Sequence, residues 1–212
     1  SYLDIAVLAK NTKYPDRVIG LHFFSPAHVM KLLEVIIPKS ASGRAVATGL
    51  ALGKRLRKIS VPAGVCDGFI GNRIMSAYRR EADYMIEDGA LPLEVDAAMR
   101  AFGFQIGVFQ MQDLAGLDIA WAMRKRKAAT RPASERYVAI ADKLCEIGRF
   151  GRKTGKGWYD YTEDPRGAVD PEVTKIIENE CATKGIKRVS MSENEIMSRI
   201  LNIMQAEGQM VL

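Results

Sequence analysis

The 212 residues, 48% of them hydrophobic and carrying a formal net charge of +6, suffice for one large core or two small ones. Two histidines and three cysteines without CxxC spacing argue against a zinc site and for free thiols in a reducing, cytoplasmic setting. No apolar run approaches a membrane span, no signal-peptide layout opens the chain, and no RNA- or DNA-binding motif accompanies the charge, which suits a small anionic substrate.

Ser1-Tyr2-Leu3-Asp4 predicts an N-cap and an acidic first turn, leading a short helix through Lys10. A turn at Pro15 precedes a strand over residues 17–24, and a second strand covers residues 32–37. Residues 41–57 have helical spacing, and residues 59–62 form a short strand. A complete dinucleotide-binding domain would open with a strand, a GxGxxG turn and an acidic ribose-binding residue; no GxGxxG occurs in these residues. The expected first region is therefore residues 1–62, the C-terminal part of an α/β Rossmann-type domain, in a truncated or split chain.

After Pro62 the pattern becomes all-helical. Residues 70–88 place Ile70, Ile74, Ala77, Tyr78 and Met85 at helical spacing, with Gly89 as the stop. Further helices are expected over residues 93–102, behind Pro92, and over 109–126 and 133–147. Gly151-Arg152-Lys153-Thr154-Gly155-Lys156-Gly157-Trp158-Tyr159 is a basic glycine-rich loop without the spacing of a phosphate-binding P-loop, and reads as structural. This helical region spans residues 63–161, followed by a polar linker over 162–170 within a linker-and-helix region of residues 162–190. Residues 191–212 then read as the start of a degenerate second helical unit. Residues 196–208 line up with residues 70–82: Arg199 falls on Arg73, Ile200 on Ile74 and Glu207 on Glu81, while Ser198 stands where Asn72 would be. The apolar face of that tail (Ile196, Ile200, Ile203, Met204) needs a neighbour to cover it, which predicts self-association through the helical part.

The chemistry concentrates in Gly20-Leu21-His22-Phe23-Phe24-Ser25-Pro26-Ala27-His28-Val29-Met30-Lys31-Leu32-Leu33-Glu34-Val35. One histidine and one glutamate lie in two apolar runs separated by a proline turn, and a buried charge needs a partner. Two readings fit: a buried structural pair, or a base whose carboxylate holds one ring nitrogen while the other transfers protons.

This segment resembles the active-site stretch of the L-3-hydroxyacyl-CoA dehydrogenases, NAD-dependent enzymes of fatty-acid β-oxidation. The wording around Ser25 and His28 is closest to the fused multifunctional β-oxidation members. The likeness runs from Ser1 to about Tyr161, and its helical region closes with a similar glycine-lysine-glycine-aromatic segment. The resemblance implies a Rossmann-type NAD-binding domain followed by an all-α C-terminal domain, and oxidation of an L-3-hydroxyacyl-CoA to the 3-ketoacyl-CoA. It makes His22 the catalytic base and Glu34 its partner, with His28 a non-catalytic neighbour. Asp67-Gly68-Phe69-Ile70-Gly71-Asn72-Arg73 is similar to the family's lead into its first long helix, where Asn72 would reach the reacting oxygen; a simple helix cap is the other reading. Ser1 matches a donor to the substrate oxygen near the nicotinamide, and Ser25 replaces an asparagine beside the nicotinamide amide. Residues 104–109 depart from the family by lacking prolines near Gln105 and at Val108.

The implied partners are an acyl-CoA substrate, with either a homodimer or fused β-oxidation domains, and no nucleic acid. A non-catalytic helical interaction module descended from the family is the alternative. Arg124-Lys125-Arg126-Lys127 does not separate the two, since it fits a solvated helix face as well as a CoA-phosphate clamp.

Overall fold

The computed structural model describes residues 4–211, which fall into two compact units. The first comprises residues 4–77 and 204–211, the second residues 78–203.

Helix α1, Ile5–Lys10, opens the first unit, and its cap is Asp4, whose carboxylate accepts from Ala6 N at 2.8 Å and Val7 N at 3.2 Å. Ser1, the cap expected from the sequence, lies outside the described residues. A single 3-10 turn follows at Pro15–Arg17. Strands β1 (Gly20–Phe23), β2 (Leu32–Ile36) and β3 (Ile59–Ala63) form one sheet in that order, β1 antiparallel and β3 parallel to β2. Strand β1 is shorter than the predicted 17–24 because Gly20 pairs with Ile36, the last residue of β2, leaving residues 17–19 nothing opposite on that strand. Central position explains the apolar character of β2: Leu33, Val35 and Ile36 are fully buried. Helix α2, Gly43–Arg55, links β2 to β3, with Ser42 Oγ capping Ala45 N. Ile36, Ala63 and Phe69 form a core against which Ile5 and Ile70 pack. Arg73 Nε donates to Glu207, the latter near the end of the last helix.

Helix α3, Gly71–Asp88, continues into the second unit. There follow α4 (Pro92–Phe102), α5 (Val108–Ala115), α6 (Leu117–Lys127), α7 (Ile140–Glu146), a two-residue hairpin of β4 (Tyr159–Asp160) with β5 (Ala168–Val169), α8 (Pro171–Thr183) and α9 (Glu193–Met210). Three expectations are corrected. The helix predicted over 109–126 is broken at Gly116, whose φ of +94° cannot continue it. The helix predicted over 133–147 starts only at Ile140, because the preceding segment turns its side chains to tertiary partners: Arg136 donates to Glu87, Asp88 and the carbonyl of Tyr84. The linker over 162–170 contains strand β5.

The tail is also corrected. Ile196 and Ile200 are 1% and 0% exposed in the single chain, so the apolar-face argument for self-association lapses. Arg199 of α9 bonds Glu81 at 2.6 Å and Asp88 at 2.9 Å. The residues aligned by the expected repeat are ion-paired crosswise, Arg73 with Glu207 and Arg199 with Glu81.

Buried carboxylates organise the second unit. Asp96 accepts from Phe109 N, Gln110 N and the Tyr159 hydroxyl; Asp113 accepts from Trp158 N, Tyr159 N and the Tyr161 hydroxyl. The glycine-rich loop is therefore structural scaffolding, its backbone donating to Asp113. Asp83 is different: its carboxyl is enclosed among the side chains of Arg124, Arg79 and Gln112. Burial pushes its carboxyl up to about 7, against the pull of Arg124 and Arg79. Because this lies above the unfolded value of about 3.9, the group's contribution to stability is complete below that pH and is lost as pH rises through about 7. Asp83→Asn, which cannot ionise, should raise the thermal midpoint at pH 8 by several degrees and leave it nearly unchanged at pH 4. Parallel midpoint curves for the two proteins from pH 4 to pH 8 would disprove the assignment.

Candidate active site

The antiparallel register of β1 and β2 sets His22 directly opposite Glu34. Their side chains meet with His22 Nδ1 2.6 Å from Glu34 Oε2. Glu34 is 1% exposed and the imidazole 15%, so the pair is shielded without being sealed. The second carboxylate oxygen is also committed: Oε1 accepts from Ile70 N at 3.0 Å and Gly71 N at 2.7 Å, at the start of α3. A buried carboxylate with both oxygens engaged is held against rotation, and so fixes the ring that donates to it. Phe24 packs edge-on against the imidazole at 4.9 Å between centroids, and Phe69 lies tilted at 5.2 Å. With Nδ1 held by Glu34, Nε2 is the ring nitrogen left for chemistry with a ligand, which an oriented general base would require.

Asn72 follows immediately on Gly71, in the first turn of α3 and half-buried. The sequence-predicted residues His22, Glu34 and Asn72 therefore converge on the strand pair and the helix start that braces it. Ser25 lies in the exposed turn after β1, before a cis bond to Pro26. That turn is pinned by Lys58 Nζ, which donates to the carbonyls of Ala27 at 2.5 Å and Met30 at 2.6 Å. His28 is exposed there. Ser1 lies outside the described residues.

Several contributors carried little sequence signal. The amides of Ile70 and Gly71 are backbone donors, and only the bare Gly71 hints at close approach: a Cβ there would sit 2.8 Å from the Phe24 ring. Phe24 and Phe69 read simply as core residues.

Comparison with known proteins decides the family. Residues 1–66 match the profile described as "3-hydroxyacyl-CoA dehydrogenase, NAD binding domain", and residues 68–161 match "3-hydroxyacyl-CoA dehydrogenase, C-terminal domain". The chain belongs to the 3-hydroxyacyl-CoA dehydrogenase family. It is 42% identical to a peroxisomal bifunctional enzyme of Danio rerio, over all of this chain and 31% of that protein. It is 44% identical to the peroxisomal bifunctional enzyme of Homo sapiens, over 95% of this chain and 30% of the relative. The chain thus spans under a third of these relatives' length. Among solved structures it superposes on the dehydrogenase part of multifunctional enzyme 1 from C. elegans with a TM-score of 0.72 and 26% identity, covering 98% of this chain and 47% of that one. The 3-hydroxybutyryl-CoA dehydrogenase of Escherichia coli gives a TM-score of 0.69 at 34% identity, covering 77% and 36%.

The family is NAD-dependent, and the residues present fit one end of that cofactor. A buried, doubly anchored carboxylate behind an imidazole suits the reacting end, whereas the glycine turn that cradles the pyrophosphate is not among these 212 residues. Among the described residues no group of His, Cys, Asp and Glu is placed to hold a metal, and no helix is long and apolar enough to cross a membrane.

Proposed function

We propose that this chain contributes the base and much of the substrate-facing wall to an L-3-hydroxyacyl-CoA dehydrogenase of fatty-acid β-oxidation. The observation that carries the reading is the cross-strand His22–Glu34 contact of 2.6 Å, with the far carboxylate oxygen held by two helix-start amides. A non-catalytic module would have no use for an imidazole fixed by its Nδ1 and left 15% exposed.

When bound, NAD supplies the hydride acceptor for C3 of the substrate. His22 accepts the proton of the substrate's 3-hydroxyl at Nε2 as that oxygen becomes a carbonyl. Glu34 keeps the proton on Nδ1 before the reaction and stabilises the imidazolium afterwards. Asn72 hydrogen-bonds the substrate oxygen from the first turn of α3. Ser1 donates to the same oxygen, and Ser25 presents its hydroxyl toward the nicotinamide amide; their support is the family match alone. The relatives' names favour a peroxisomal setting over the cytoplasmic one expected from composition, and their length favours fused β-oxidation domains over a homodimer.

The test joins these 212 residues to the glycine-turn βαβ unit of a peroxisomal relative and follows NADH absorbance with an L-3-hydroxyacyl-CoA. Substrate-dependent NADH formation is expected. A folded joined protein that binds NAD and yet forms none would overturn the reading.

A further inference from the structure

We propose that Glu207, near the end of α9, is a positioning residue for the His22–Glu34 pair, acting through Arg73; this rests on the dehydrogenase reading of that pair. The two carboxylate–amide bonds that fix Glu34 come from Ile70 and Gly71, so their geometry depends on the turn that starts α3. That turn is not self-evidently stable. Gly68 and Phe69 both have positive φ, +79° and +52°, and Phe69 is a bulky residue in a region such residues avoid. Yet Phe69 must hold that conformation to lay its ring against His22.

Arg73 ties the turn together. Its backbone N–H donates to Gly68 O at 3.2 Å, closing the loop over Phe69. Its side chain touches Cys66, whose Sγ donates to Phe69 O at 3.3 Å. The guanidinium Nε donates to Glu207, a carboxylate 134 residues away in sequence whose side chain is 16% exposed. A charge-assisted bond of this kind fixes both partners, and it connects the far end of the chain to the two amides behind the base. The influence of Glu207 on His22 and Glu34 runs through Arg73 and the start of α3, and is therefore on their geometry.

The two-histidine composition makes the test direct. In the 212-residue protein, at a pH where the imidazoles are deprotonated to one proton each, nitrogen-detected NMR should show His22 as a single tautomer with its proton on Nδ1, and exposed His28 serves as the internal reference. Glu207→Gln keeps the shape and removes the charge. It should speed hydrogen exchange at the Ile70 and Gly71 amides about tenfold relative to the Phe109 amide, and turn the His22 signal into a tautomer mixture. A folded variant with unchanged exchange at both amides and a single His22 tautomer overturns the proposal. Should that variant lose the dispersed Phe109 signal of the folded state, the reversed pair Arg73→Glu with Glu207→Arg is read instead. Restoration of the His22 signature then supports the proposal, and a persistent mixture overturns it. No turnover is measured, so failure here leaves the dehydrogenase reading standing, and failure of the NADH assay leaves this measurement intact.

Discussion

His22→Ala lowers turnover of an L-3-hydroxyacyl-CoA by about 10²–10⁴-fold in the joined protein, the range an oriented general base supplies. The methyl group keeps the backbone pairing of β1 with β2 but strips the buried Glu34 Oε2 of its partner, so the rate is read on a variant shown to be folded. Glu34→Gln also falls, by about 10²–10⁴-fold, for a reason the structure makes specific. Glu34 accepts on both oxygens, from His22 on one and from Ile70 and Gly71 on the other. A glutamine has one acceptor and one donor end. Facing its oxygen to the two amides points its NH₂ at Nδ1 and selects the wrong tautomer; facing it to His22 sets the NH₂ against two N–H groups. Either way the imidazolium loses its counter-charge. Steady-state rates over a pH series check both variants, and wild-type turnover by the alanine variant would remove His22 from the mechanism.

Gly151→Ala lowers stability by about 3 kcal/mol or more, because two penalties coincide. The residue has φ of +97°, and a Cβ there would stand 2.2 Å from the carbonyl oxygen of Asp113, with Asp113 Cα at 2.8 Å. Backbone cannot swing aside as a side-chain tip can. Any displacement moves Asp113, which is 1% exposed and accepts from Trp158 N, Tyr159 N and the Tyr161 hydroxyl. Gly148→Ala is the matched control: φ is +80° but nothing lies within 4 Å of the added carbon, so only the left-handed penalty of about 1 kcal/mol applies. Urea midpoints for the two variants measure the difference. Equal losses would mean that the contact with Asp113 carries no cost.

The pattern of what the sequence revealed follows from which forces leave marks in it. His22 and Glu34 stood out because a titratable residue in an apolar run needs a partner, and antiparallel strands on either side of a short turn bring two such residues face to face. Strand β2 and helices α3 and α4 were legible from periodicity and punctuation, in the last case Pro92 at the helix start. Gly116 was visible as a letter, but a lone glycine inside helical spacing does not announce a φ of +94°. The late start of α7 was hidden because Arg136 answers to Glu87 and Asp88, some fifty residues away, and not to its neighbours. The two amides behind Glu34 were beyond reach, since backbone donors are common to nearly every residue.

The crosswise ion pairs carry a consequence for descent. Helices α3 and α9 each bear an arginine followed eight positions later by a glutamate, Arg73 with Glu81 and Arg199 with Glu207. A segment whose own two charges complement each other head-to-tail can pair with a duplicate of itself from the moment of copying, with no further mutation. Under such an arrangement neither helix can lose a charge alone: losing Arg73 strands Glu207 on the other helix, and losing Arg199 strands Glu81. In the alignment of residues 196–208 with residues 70–82, α9 carries Ser198 where α3 carries Asn72, so the two helices share the paired charges without sharing the amide.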